Sequence, residues 1–213
     1  MKNFFILLFF SSFYIQAQNI ELLELNGDFT IQDSIRITNA FIQASQGVEL
    51  MHNAMQNIWE TRTQQGRSSK KLRMESWKNN PVFMRWLGEP EHMGKAHRKI
   101  KGIYKKFQGE VTFLITTEDV GRCGRFVSAW TVPFGKVKIR LCRNFTNFNS
   151  HDQEKTMIHE VGHETGLLFD RGVYHCRPAL SVATNPKKNR ARRRSENYAW
   201  LAMSFLGVDC GSR

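Results

Sequence analysis

Acidic residues are scarce in this sequence. Asp and Glu number 19 against 31 Lys and Arg, a net charge of +12 over 213 residues. Such a surface repels cationic partners and attracts anionic ones, whether nucleic acid, acidic polysaccharide or lipid head groups, without naming one. No Cys-x-x-Cys pair occurs, which removes a cysteine zinc site from consideration. After residue 17 no run is long and apolar enough to span a bilayer. No internal repeat and no low-complexity linker interrupts the chain, so a single domain is expected, long enough to bury a real core.

The first seventeen residues differ from the rest. Lys2 is their only charge, an apolar run extends from Phe4 to Ile15, and Ile15-Gln16-Ala17 resembles a cleavage site. Residues 1–17 therefore read as a secretory signal peptide and 18–213 as the exported domain, extracellular or periplasmic. The four cysteines, Cys123, Cys142, Cys176 and Cys210, fit an oxidising compartment and two disulfides. Of the three possible pairings, Cys123–Cys142 with Cys176–Cys210 is favoured, because the first pair could brace two neighbouring strands.

The densest chemistry lies in His159-Glu-Val-Gly-His163-Glu-Thr-Gly166. On a helix, His159 and His163 project from one face a turn apart, where two imidazoles can share one tetrahedral zinc. Glu160 follows the first ligand and can act as general base on a water that attacks a peptide carbonyl. Ser150 with Gln153 reads as a capping box before this helix, and Gly166 as its stop. Gly162 in mid-helix costs roughly 1 kcal/mol against Ala, which implies close packing. Asp170, just past the stop, is placed to supply a third ligand.

Elsewhere, residues 18–33 read as irregular, with Asp33 capping a long helix to about Trp59. Its apolar positions, Ile37, Phe41, Ala44, Val48, Met51, Met55 and Ile58, form one stripe, and His52 lies off it, expected in solvent. Residues 60–80 read as a basic loop. Ala96, Ile100, Ile103, Tyr104 and Phe107 make a second stripe inside a basic shell that includes Lys95, Arg98, Lys99 and Lys101. His92 and His97, five apart, fall on different faces and are set aside as ligands. Strands are expected over 111–117, 126–132 and 137–143, and a last helix over 195–205 with Tyr198, Leu201, Ala202 and Phe205 inward.

The ordered landmarks resemble the aspzincin metallopeptidases, the deuterolysin and peptidyl-Lys metalloendopeptidase group. Phe83-x-Arg-Trp86-Leu-Gly88, then Val137-Lys-Ile-Arg-Leu-Cys142, the zinc motif, an Asp and a Tyr, and Ser195-Glu196-Asn197-Tyr198 are similar to the family's elements in the same order, over residues 80–206. The resemblance implies an α+β, mainly helical, zincin-like domain with a long N-terminal helix and a small sheet whose edge aligns substrate. It implies a secreted zinc metalloendopeptidase with a single Zn2+ on His159, His163 and Asp170, Glu160 as base and Tyr174 assisting the oxyanion. Glu196 matches a position that contacts a substrate Lys ammonium in Lys-directed members, while Ala199 stands where those members carry a second carboxylate. Asp170 follows His163 by seven residues and Tyr174 follows Asp170 by four, spacings that differ from the family's. The expected partners are a protein or peptide substrate and, through basic loops around Lys70 and Arg192, an anionic surface or polymer; a monomer is expected. Two rival readings are a metzincin-type protease, in which Phe169 would fill the third-ligand position and cannot bind metal, and a catalytically inactive cationic binding protein, against which the intact Glu160 argues.

Overall fold

The computed structural model describes residues 20–24, 30–110, 113–117, 123, 129–131, 138–165, 176–184 and 191–210. Strand β1 (Ile20–Glu24) leads into α1 (Ile31–Trp59), α2 (Lys70–Lys78), α3 (Pro81–Leu87) and α4 (Met93–Lys105). Then follow β2 (Phe113–Thr117), β3 (Ala129–Thr131), β4 (Lys138–Leu141), α5 (Ser150–Glu164), α6 (Cys176–Thr184) and α7 (Ser195–Phe205).

The apolar stripe makes α1. All seven of its expected positions are buried, with Phe41, Ala44, Val48, Met51 and Met55 fully enclosed. Enclosing an aliphatic or aromatic side chain larger than Ala stabilises by about 1.5–3 kcal/mol relative to leaving it in water, so this one face is a large share of the core. The helix starts earlier than the sequence suggests. Thr30 is the cap, and Asp33 is the third residue of a capping box: Asp33 N–H donates to Thr30 Oγ1 (3.2 Å) and Thr30 N–H donates to Asp33 Oδ2 (2.9 Å). Nor is His52 in solvent. It is 9% exposed and stacks on Tyr104 of α4 at 3.9 Å, because α4 covers a second flank of α1.

Residues 60–80 hold a helix rather than only a loop. Ser69 Oγ caps α2 by accepting from Leu72 N–H, and the helix buries Trp77, whose indole N–H donates to the Gly88 carbonyl (2.8 Å). Gly88 ends α3 at φ 68°, the left-handed region that favours glycine. On α3, Trp86 donates its indole N–H to Ser204 Oγ of α7 (2.7 Å).

The sheet has the order β1-β2-β4-β3. β1 and β2 pair in parallel, as do β2 and β4, while β3 runs antiparallel to β4 with Trp130 opposite Arg140. The pairing of β1 brings residues 20–24, read from sequence as irregular, into the sheet. The disulfides join Cys123 to Cys142, directly after β4, and Cys176, the first residue of α6, to Cys210; these are the favoured pairings. Residues 1–17, read as a signal peptide, lie outside the described residues. Among those residues no helix is long and apolar enough to cross a membrane.

α7 is the central helix. Every residue from Ser195 to Met203 is buried, a wider face than the four expected inward positions, because α1, α3, α5 and α6 all pack on it. At Gly47 α1 approaches α7 closely: an added Cβ would stand 2.9 Å from Leu206 Cδ1 and 3.2 Å from the Ala202 carbonyl. α5 lies against both α1 and α7, which puts the turns that carry His159 and His163 at the centre of the helical layer.

Candidate metal centre

Asn149, rather than Ser150, caps α5 by accepting from Asp152 N–H (2.9 Å). Met157, Ile158 and Val161 are fully buried and seat the helix. Gly162 is buried too, in keeping with its unfavourable propensity. The opposite edge of the same turns carries His159 and Glu160, each 6% exposed, and the half-buried His163.

The two imidazoles converge. Their Nε2 atoms stand 3.2 Å apart and their ring planes cross at 80°. Two nitrogens bound to one tetrahedral zinc at about 2.0–2.1 Å would be about 3.3–3.4 Å apart, so the pair is spaced to hold that ion with little adjustment. The tautomer of His159 follows from its other nitrogen. Nδ1 lies 2.8 Å from Glu196 Oε2, and an ionised carboxylate only accepts; Nδ1 therefore carries a proton, which leaves Nε2 as the nitrogen of this ring that can donate a lone pair to a metal.

Glu196, in the first turn of α7, is 1% exposed. Its Oε1 accepts from Lys155 Nζ (2.9 Å) and Trp200 Nε1 (3.0 Å), while Oε2 accepts from His159. Burial alone would push this carboxyl up; the His159 hydrogen bond and the Lys155 charge outweigh burial and hold it down at about 2. The neighbouring Ser195 Oγ donates to the His159 carbonyl (2.6 Å). Two consecutive residues of α7 thus grip one residue of α5.

Contacts at the other end fix the helix stop and the sheet edge. Thr131 of β3 donates to Glu164 Oε1 (2.5 Å), tying the last described strand of the sheet to α5. Lys99 of α4, expected in the basic outer shell, is instead 7% exposed and donates to the Thr165 carbonyl at the end of α5 (3.3 Å). Burial, with the nearby Arg98 charge, lowers its pKa to about 8.

Of the residues singled out from sequence, the structure brings together His159, His163 and Glu196, with Glu160 buried and next to His159 in the chain. Asp170 and Tyr174 lie outside the described residues, and among those residues no group of three or more His, Cys, Asp or Glu is placed to hold a metal. Glu196 faces the back of His159, with both oxygens engaged by protein donors, and not an open pocket for a substrate ammonium. Lys155 and Trp200 were not legible as site residues. Their only local signal is spacing: Lys155 precedes His159 by four and Trp200 follows Glu196 by four, so each shares a helix face with its partner.

The fold is similar to that of a zinc peptidase. The solved structure of a zinc peptidase from Grifola frondosa superposes with a TM-score of 0.62 at 16% identity, covering 85% of this chain and all of that one. The mainly helical, zincin-like architecture with a small sheet is therefore shared with that peptidase. No protein-family model and no curated protein matches the chain.

Proposed function

We propose that this chain is an exported zinc-dependent endopeptidase of the aspzincin type. The observation that carries the reading is the 3.2 Å pair of Nε2 atoms on one helix face, with Glu160 beside the first of them, in a fold shared with a zinc peptidase. His159 and His163 would hold the ion, with Asp170 as third donor. Bound zinc would supply a Lewis acid that polarises a peptide carbonyl and makes water nucleophilic near neutral pH.

The chain's own groups do the rest. Glu160 takes a proton from the attacking water and gives it to the departing amine as the C–N bond breaks, so acid and base roles pass through one carboxylate. Tyr174 donates a hydrogen bond to the carbonyl oxygen as negative charge gathers there. β3 ends the sheet among the described strands, and an extended peptide can pair along such an edge. The Thr131–Glu164 hydrogen bond would keep that edge at a fixed distance from α5. The basic surface would hold the enzyme near anionic polymer.

Casein cleavage by the chain lacking residues 1–17, beside its Glu160→Gln variant, tests the chemistry. The reading expects equal zinc in the two proteins and a loss of cleavage of at least about 100-fold in the variant, the lower range for a general base. Equal cleavage by both would reject Glu160 as the base.

A further inference from the structure

Resting on the zinc reading above, the geometry points to Lys155 as a positioning residue for the metal, acting through Glu196 on His159. A carboxylate that orients a metal-binding imidazole must present a particular oxygen to it. Glu196 has two oxygens, and three donors from the described residues reach them. Lys155 Nζ and Trp200 Nε1 both go to Oε1, which leaves Oε2 for His159 Nδ1. The carboxylate is 1% exposed, so water cannot stand in for a missing donor, and its rotamer is set by what remains. The Lys155 ammonium is itself held in place, its side chain 13% exposed and 5.4 Å from the Trp200 ring centre.

The source of this cation is specific. Lys155 lies one turn before His159 on α5, so the helix that supplies the ligands also supplies the charge that balances their buried acceptor. Glu196 and Trp200 come together from one turn of α7. The arrangement is a cross-brace between two helices in which each donates one charged and one ring group. Removing the ammonium would take from a buried carboxylate its one described cationic donor and leave the Trp200 indole N–H on the same oxygen. The carboxylate could then swing or draw the imidazole toward itself, and Nε2 of His159 would no longer be aimed beside Nε2 of His163.

The test is metal affinity, measured on metal-free protein by competition with a chelating indicator. It is paired with the visible absorption spectrum of the Co2+-loaded protein, which reports ligand geometry independently of activity. Lys155→Met is expected to bind zinc about 10- to 100-fold more weakly than the wild type, the usual effect of removing an outer partner of a metal ligand, and to shift the Co2+ bands. Lys155→Arg, which keeps the charge, restores most of the affinity. Trp200→Phe, which removes one donor to the same oxygen and keeps the ring, gives a several-fold loss and carries the test if Lys155→Met fails to fold. Wild-type affinity and spectrum in the folded Lys155→Met protein, or in Trp200→Phe in its place, would overturn the inference while leaving the zinc reading intact. A wild-type protein that binds no zinc would overturn both.

Discussion

His159 is held at three points. Its Nδ1 is bonded to Glu196, its carbonyl to Ser195, and its Nε2 faces that of His163. A histidine on a helix surface turns about two side-chain bonds; here the ring is held by the Glu196 carboxylate of α7 on one side and faces His163 of its own helix on the other. Removing the acceptor from such a buried arrangement commonly costs about 3–5 kcal/mol, which marks Glu196 as more than a helix-capping acid. A second buried imidazole behaves differently. For His52, burial, with the Lys101 charge adding to it, lowers the pKa below the ordinary 6.5 against weaker support from Asn53, Glu49 and Glu60. The unfolded chain takes up that proton near 6.5 and the folded one only at lower pH. His52 therefore favours the fold fully above about 6.5, and this contribution drains away as pH falls through the folded value. Thermal unfolding between pH 7.5 and 5 is expected to show a falling midpoint in the wild type and a smaller fall in His52→Phe, which retains a ring against Tyr104. Equal slopes would remove His52 from the account.

At the scale of elements, α4 has two unlike faces. Met93, Ala96, Ile100 and Ile103 are buried, and Lys99 reaches in to the end of α5. Lys95, Arg98 and Lys101 are exposed, on a helix with no acidic residue. The adjoining rings are already stacked, Tyr104 on His52 and Trp59 on His97, so bases would find no open platform. None of the exposed large hydrophobics among the described residues lies on α4. The face is cationic, and if the proposed anionic contact lies here a sulfated or carboxylated polysaccharide is its test ligand. It stands beside the basic loops at Lys70 and Arg192 as a second place where the proposed anionic contact can be tested. Retention on immobilised heparin is expected to fall steeply with salt. A triple substitution of Lys95, Arg98 and Lys101 to Gln should elute at clearly lower salt with an unchanged unfolding temperature. Elution at the wild-type salt concentration would return these residues to an ordinary solvated surface.

Over the whole molecule, the parts legible in the sequence are those whose signal is local. The alternating three-and-four spacing of α1, the Nε2 pair of α5 and the β-branched run of β2 each sit within one element. The four inward positions of α7 were too few because burial of Ser195, Glu196 and Asn197 depends on four other helices. Lys155 pairs with a residue 41 positions away, and His52 is enclosed by a helix about 50 positions on; no window along the chain contains either relation. Thr30 was overlooked for a different reason: Asp33, itself a good cap residue, occupies the reciprocal position of the same box. Asp170 and Tyr174 rest on sequence resemblance, and their test is chemical.

The most direct measurement of the proposed metal is zinc content per chain, by elemental analysis of the disulfide-intact protein after extensive dialysis, in the wild type and in His163→Ala. The account predicts one equivalent in the wild type and a large loss in the variant, since one of the two converging nitrogens is gone. A well-folded wild-type protein with no zinc, or a His163→Ala protein that retains its full equivalent, would contradict it.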